Sequence, residues 1–179
     1  RSDHTLWCWG DNAEGQLGDG TSADHHSPEQ VGTGAFWSSV SAGSAHTCAI
    51  RIDKSLWCWG YGSYGQLGVG DTDNHYKPVR VGTAGWLSVS AGDAHTCRIR
   101  PGHTLACWGR NAEGAVGDGT STNRTRPVQI GASADWQTVS AGQYHTCGLR
   151  SDQFLRCWGS NSYGQLGTDD TSTRYSPAK

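Results

Sequence analysis

The sequence predicts an all-β fold, a β-propeller of four-stranded blades, and three observations carry that prediction. The stretch from Val40 to Gly70 returns as Val89–Gly119 and again from Val139 to Gly167, and its second half opens the chain as LWCWGDNAEGQLGDG from Leu6 to Gly20. The second cysteines of these units, Cys8, Cys58, Cys107 and Cys157, step by 50, 49 and 50 residues, and self-similarity at such a period marks a repeat architecture. Each unit carries four short runs rich in Val, Ile, Trp, Leu and Thr, separated by Gly, Asp, Asn or Pro, and no helical run. Four strands in about 50 residues is the size of a propeller blade. The third observation is that the 26 glycines recur at fixed repeat positions, which assigns them to turns rather than to disorder.

The chain divides into a partial repeat over 1–39, full repeats over 40–88 and 89–138, and a partial repeat over 139–179, all within one propeller domain and with no linker between them. The first strand of a unit reads WSSVSAG, WLSVSAG or WQTVSAG, and the second HTCAIR, HTCRIR or HTCGLR. The third reads SLWCWG, TLACWG or FLRCWG, and the fourth is the weaker PEQVG, PVRVG or PVQIG. Leu6, Leu56, Leu105 and Leu155, and the tryptophans Trp9, Trp59, Trp108 and Trp158, do not vary between units. They are expected to pack between blades, because a repeat buries its faces only against its neighbours. The position between Leu and Cys holds Trp7, Trp57, Ala106 and Arg156; a site that accepts all of these is expected to face solvent.

Net charge is −2 with 17% charged residues, so there is no basic footprint for nucleic acid and no polybasic membrane patch. No apolar run approaches a membrane-spanning length, which argues against membrane insertion.

Pairing the second and third strands about Asp53 sets Cys48 opposite Cys58. A non-hydrogen-bonded antiparallel pair brings Cα atoms to about 4.5 Å, the short end of disulfide geometry. Cys97 with Cys107 and Cys147 with Cys157 repeat the arrangement, so three hairpin disulfides are expected, and with them an oxidising compartment, extracellular or at the cell surface. Cys8 is left over; its partner is expected three residues upstream of Arg1. A metal site from His46, Cys48 and Cys58 is the competing reading, but the Cys-x2–4-Cys knuckles of structural zinc are absent. No metal and no cofactor are expected.

His46, His95 and His145 stand in A-G-x-x-H-T. Each imidazole is expected to hydrogen-bond a neighbouring backbone group and lock its blade, in preference to a ring of metal ligands in the channel. The glycine-rich loop N-x-x-G-Q-L-G-D-G lacks the Lys and Ser/Thr of a phosphate loop and precedes no helix. It reads as a structural turn in which Gln16, Gln66 and Gln165 tie backbone groups; the third unit departs from it with Ala115 and Val116. Asp19, Asp71, Asp73, Asp118, Asp169 and Asp170 match no EF-hand pattern and read as solvated turn residues. No G-x-S-x-G, H-E-x-x-H or distinctive Ser/His/Asp set is present, so catalysis is not expected.

The segments TSADHHSPEQ, DTDNHYKPVR, TSTNRTRPVQ and TSTRYSPAK fall at one place in each unit and differ in charge and aromatic content. Variable loops on a constant scaffold are how binding surfaces are built. His25, His26, His75, Tyr76, Arg124, Arg126, Arg174 and Tyr175 are the candidate contact residues, against neutral variation at loop tips. Asn123-Arg124-Thr125 is a glycosylation sequon, used only in a secreted eukaryotic protein.

The pattern V-S-A-G-x-x-H-T-C-x-I/L-R-x-D-x-x-L-x-C-W-G-x-N-x-x-G-Q-L-G-D-G, followed by P-V-x-V-G, resembles the regulator of chromosome condensation repeat over essentially the whole chain. The resemblance implies a seven-bladed propeller, of which 179 residues supply about half a ring. Its remainder is expected from further chain or from a second copy, and the unpaired Cys8 favours further chain. Members of the family include a nuclear exchange factor for a small GTPase that also binds nucleosomes, protein-binding modules, a plant ultraviolet-B receptor and a secreted bacterial β-lactamase inhibitor. The blade cysteines resemble the secreted bacterial branch and argue against nucleotide exchange. The receptor's G-W-R-H-T motif is replaced here by Ser44-Ala45, Asp93-Ala94 and Gln143-Tyr144. The fold alone does not set function. The expectation is a non-catalytic extracellular module that binds a protein or cell-surface partner. The alternatives are a structural domain of a larger surface or filament assembly, and a glycan binder or enzyme using the channel.

Overall fold

The computed structural model describes residues 1–34, 36–83 and 85–178. All regular structure among them is strand. β1 (Trp7–Gly10) and β2 (His25–Gln30) form a two-stranded sheet. β3 (Trp37–Ala42), β4 (His46–Arg51), β5 (Leu56–Gly60) and β6 (His75–Arg80) form the second sheet in chain order. β7 (Ser88–Ala91), β8 (His95–Ile99), β9 (Leu105–Gly109) and β10 (Arg124–Gln129) form the third. β11 (Trp136–Ala141), β12 (His145–Arg150), β13 (Leu155–Gly159) and β14 (Arg174–Ala178) form the fourth. The first strands of successive sheets, β3, β7 and β11, lie against one another, so the sheets are propeller blades arranged around a common inner edge. The last segment is a complete blade.

The β4–β5 hairpin shows how local chemistry builds a blade. Asp53 Oδ1 accepts from the Ser55 amide at 2.9 Å and the Ser55 hydroxyl at 2.6 Å, and the Lys54 amide donates to Arg51 O at 2.9 Å. The turn sets Cys48 opposite Cys58 in the ladder. Disulfides join Cys48–Cys58, Cys97–Cys107 and Cys147–Cys157, each with Cα atoms 4.1 Å apart. Cys8 is unpaired, and burial pushes its thiol up to about 11.

The outer strands begin earlier than the sequence suggests, at His25, His75, Arg124 and Arg174 rather than at the following proline. The eight candidate contact residues therefore sit on strands and not on loop tips. A bulge at the end of each third strand makes this pairing possible: register shifts between Cys58 and Gly60, and Gly60 takes φ +97°. A Cβ there would lie 2.6 Å from Ala45 O, so only glycine can both turn the strand and admit the neighbouring chain.

Alternation along β5 gives the blade two unlike faces. Leu56 and Cys58 join Cys48, Ile50, Leu67 and Val81 under Trp86 and Trp108 of the next blade. Trp59, with Ala49, meets Leu6 and Val31 of the preceding one. The third seam repeats this, with Cys97, Ile99, Leu105, Cys107, Val116 and Ile130 under Trp136 and Trp158. The Cys48–Cys58 and Cys97–Cys107 disulfides thus lie inside the inter-blade cores. The two outward faces break the expectation for the invariant residues: Trp9 is 60% exposed and Leu155 58%, because no blade among the described residues covers them.

The variable position between Leu and Cys is not solvent-facing. Ala106 is 1% exposed, and Trp7, Trp57 and Arg156 are half-buried on the face turned to the preceding blade. Its variation is compensated across the hairpin: Ala49 opposes Trp57, Arg98 opposes Ala106, and Gly148 opposes Arg156. One large and one small side chain share the same volume in each blade.

Candidate binding surface

A repeated latch fixes each blade to the one before it. The hydroxyls of Thr47, Thr96 and Thr146 donate to the carbonyls of Gln16, Gln66 and Ala115, each at 2.8 Å. The indole N–H groups of Trp59, Trp108 and Trp158 donate to the same carbonyls at 2.9, 2.8 and 2.9 Å. Because the acceptor is a backbone atom, the third unit keeps the latch although Ala115 replaces glutamine.

The histidines extend the latch across the next seam. With the threonine proton committed to a carbonyl, its oxygen accepts from His46 Nε2–H (to Thr96, 2.9 Å) and His95 Nε2–H (to Thr146, 2.8 Å). The histidines do lock the blades, but their partner is a hydroxyl of the next blade instead of a backbone group. His145 is half-buried and meets no such threonine among the described residues. The threonines of H-T-C are legible as invariant, but nothing local signals the cross-blade bond, whose partners lie about 50 residues away.

Burial lowers His46 to about 4, and burial together with the charges of His46 and His145 lowers His95 to about 3. His46 Nδ1, where the second proton would go, is buried without a partner. An unfolded histidine titrates near 6.5, so the unfolded chain binds more protons below that pH. Stability from this source is complete above about pH 6.5, and is lost progressively as pH falls towards the folded-state values of about 4 and 3. Urea unfolding at stepped pH is expected to show this decline, and His95→Gln to reduce its slope; an unchanged slope would show that the latch histidines do not carry the proton linkage.

A second repeated device anchors the outer strands. Asp19 binds His25 at 2.8 Å, Asp71 binds His75 at 3.2 Å, and Asp118 and Asp170 bind Arg124 and Arg174, each at 2.6 Å. The expectation of solvated acids is corrected for Asp19 and Asp118, whose side chains are 12% and 5% exposed. Burial works to raise the Asp19 carboxyl, but hydrogen bonds from the Thr21 amide and hydroxyl, His25 and Asn12 outweigh it and hold it at about 2. The acid comes from alternate loop positions: Asp19 and Asp118 in the first and third units, Asp71 and Asp170, two places further on, in the second and fourth. The loop bodies alternate too, reading Asn-Ala-Glu-Gly at 12–15 and 111–114 but Ser-Tyr-Gly at 63–65 and 162–164. At the first seam Glu14 accepts from Asn74 Nδ2 at 2.6 Å; at the second, Arg110 lies over Tyr64 at 5.7 Å.

At the centre of three of the four loops stands a buried asparagine, replaced by Gly62 in the second. Asn12, Asn111 and Asn161 are fully buried. Their Oδ1 atoms accept from the amides of Leu17, Val116 and Leu166, and their Nδ2 atoms donate to Asp19, Asp118 and Thr168 and to loop carbonyls. Gln16, Gln66 and Gln165 each accept from a backbone amide two residues earlier. Asn123 of the sequon uses its Oδ1 to accept from the Asn111 amide at 2.9 Å.

The eight candidate contacts thus separate into two groups. His25, His75, Arg124 and Arg174 are half-buried and held by aspartates, whereas His26, Tyr76, Arg126 and Tyr175 are exposed on the same strands. Among the described residues no three His, Cys, Asp or Glu side chains gather as metal ligands, and Cys48 and Cys58 bond to each other rather than joining His46.

The chain matches the regulator of chromosome condensation (RCC1) repeat over residues 3–50, 53–99 and 104–149. A second model of the same repeat matches 37–66 and 136–165. No curated protein matches the chain at significant similarity. Among solved structures, human WBSCR16 is similar at TM-score 0.88 and 21% identity, over 98% of this chain and 48% of that one. Yeast RCC1 (Prp20), bound to Kap60, is similar at TM-score 0.85 and 20% identity, over 97% and 44%. The ectodomain of the Physcomitrella patens receptor kinase CR4 is similar at TM-score 0.56 and 22% identity, over 90% and 38%. The chain spans less than half the length of each of these proteins. With repeat models covering most of its length and a propeller architecture shared with these structures, the chain belongs to the regulator of chromosome condensation (RCC1) repeat family.

Proposed function

We propose that this chain is part of an extracellular, non-catalytic module that binds a protein partner. One observation carries the reading. On each outer strand the first residue is pinned to an aspartate, and exposed residues follow it: His26, Tyr76 and Tyr175 directly after it, and Arg126 two places on. A rigid frame that presents exposed aromatic and cationic side chains suits recognition. The similar yeast protein is recorded in complex with Kap60, and the moss protein is an ectodomain. The three disulfides fit an oxidising compartment. The latch holds His46 and His95 in seam hydrogen bonds, which leaves them unsuited to act as acids or bases. The exposed Trp9 and Leu155 faces suit closure of the ring by a further length of polypeptide, from this chain or a second copy.

Capture from the extracellular fraction of the source, by wild type and by a Tyr76→Ala, Arg126→Ala, Tyr175→Ala variant of equal melting temperature, tests the reading. One protein is expected to be held by the wild type and released by the variant. Equal retention by both, or retention of sugars without protein, would overturn it.

A further inference from the structure

The fourth blade contains a charge pair that the second blade lacks. Arg150 ends β12, its Nε donates to Asp135 Oδ1 at 2.8 Å, and its guanidinium lies over the Trp136 ring at 5.5 Å. Arg51 holds the same place at the end of β4, and the residue matching Asp135, just before the blade's opening tryptophan, is Phe36. The backbone agrees: the Ile52 amide donates to Phe36 O as the Ser151 amide donates to Asp135 O. Arg51 stacks over Trp57 at 3.9 Å and Trp37 at 4.8 Å, and its Nε is buried with no hydrogen-bond partner.

A cleft of about 480 Å³ opens beside this arginine, between the first and second sheets, with Val31, Phe36, Trp37 and Pro78 as apolar walls and Lys77 as a second cation. Neither Arg51 nor Lys77 makes an ion pair among the described residues. Asp19 also borders the cleft, but its carboxylate is taken up by His25, Thr21 and Asn12. The second cation goes with the missing acid. The fourth blade has Asp135 and, in the place of Lys77, Ser176; the third has Gly85 and Arg126, and its Arg100 Nε is again buried and unpartnered.

We propose that the cleft between the first and second sheets binds an acidic peptide segment, its carboxylate on Arg51 and Lys77 and an adjoining apolar side chain against Phe36 and Trp37. This rests on the reading of the chain as a protein-binding module and names the chemistry of the segment it takes. The fourth blade shows the geometry internally: a carboxylate satisfies this arginine in the place that Phe36 leaves empty of charge. A guanidinium already stacked on aromatic rings keeps its fork oriented, so little freedom is lost when the anion arrives. The apolar walls and modest volume suit a side chain or two rather than a folded surface.

The test uses the peptide acetyl-Gly-Asp-Phe-Gly-amide and its Asn counterpart, titrated against tryptophan emission, since Trp37 and Trp57 flank the arginine. The Asp peptide is expected to saturate the signal, and the Asn peptide to bind at least about tenfold more weakly. Arg51→Gln is expected to abolish the response. Phe36→Asp supplies a carboxylate within the chain, as the fourth blade does, and is expected to abolish peptide binding while keeping or raising the melting temperature, which separates loss of binding from loss of fold. No saturation with the Asp peptide, equal affinity for both peptides, or unchanged binding by Phe36→Asp would overturn the proposal. The titration uses neither the captured partner nor the residues replaced in the capture variant, so a failed cleft leaves the module reading standing, and a failed capture with an intact titration removes only the latter.

Discussion

Replacing Trp108 by alanine is expected to lower the unfolding free energy by about 3–5 kcal/mol. Trp108 is fully buried and closes the core formed by Cys48, Ile50, Leu56, Cys58, Leu67 and Val81 of the preceding blade. The substitution removes the ring and also the indole N–H that meets Gln66 O at 2.8 Å. Little can move in to fill the space. Gly68 lies directly under the ring at φ +74°, and a Cβ there would come within 2.5 Å of Trp108 Nε1. The same sequence position in the first unit gives the control: Trp9 is 60% exposed, and Trp9→Ala is expected to change stability by only about 0.5 kcal/mol. Urea unfolding of both variants checks the pair. Equal losses would mean that seam packing is not what makes this residue invariant.

Reduction of the disulfides is the second large effect, and it is expected to begin at the last blade. A cross-link closing a loop with a sequence separation of 10 contributes about 2–3 kcal/mol in the chain-entropy account. Three of them approach the whole stability of an ordinary domain, about 5–15 kcal/mol, so the fully reduced chain is expected to unfold at much lower denaturant. Exchange requires a thiolate to reach a sulfur. Cys48, Cys58, Cys97 and Cys107 are wholly buried under the tryptophans of the next blade. The Cys147–Cys157 bond faces outward on the last blade, where Leu155 beside it is 58% exposed. Alkylation followed by peptide mass mapping should therefore find Cys147 and Cys157 labelled first and the other two pairs later. Labelling of all three pairs at one rate would mean that the blades open together and the seams give no separate protection.

The blades and their cysteine pairs were legible because their signals are local. The hairpin pairs residues ten apart, and strand alternation places both sulfurs on one face. What lies between blades was less legible, because its partners are about 50 residues apart and change together. Ala106 shows why: its variation suggested solvent, whereas the volume it gives up is filled by Arg98 on the adjacent strand. The outer strands were misplaced for a related reason. Their first residues, His25, His75, Arg124 and Arg174, are polar and follow turn residues, so they read as loop; an aspartate and a bulged glycine bring them into the sheet. The eight candidate contact residues therefore share the start of the outer strands, and which four face outward depends on the anchors. The cleft at Arg51 gave no sequence signal of its own, since an arginine without its acid looks like any other arginine until the fourth blade is laid over the second.

The alternation of the loops has a consequence of parity. Asp19 and Asp118, and likewise Asp71 and Asp170, are 99 residues apart, so the placement of the anchoring acid repeats every two blades. A pattern of period two tiles an even ring and cannot tile an odd one. Around a ring with an odd number of blades, alternation has to fail at one join, where two loops of the same kind meet. That join would differ chemically from all the others and give a nearly symmetric wheel a single fixed azimuth, a landmark by which a partner can tell one direction around the rim from another.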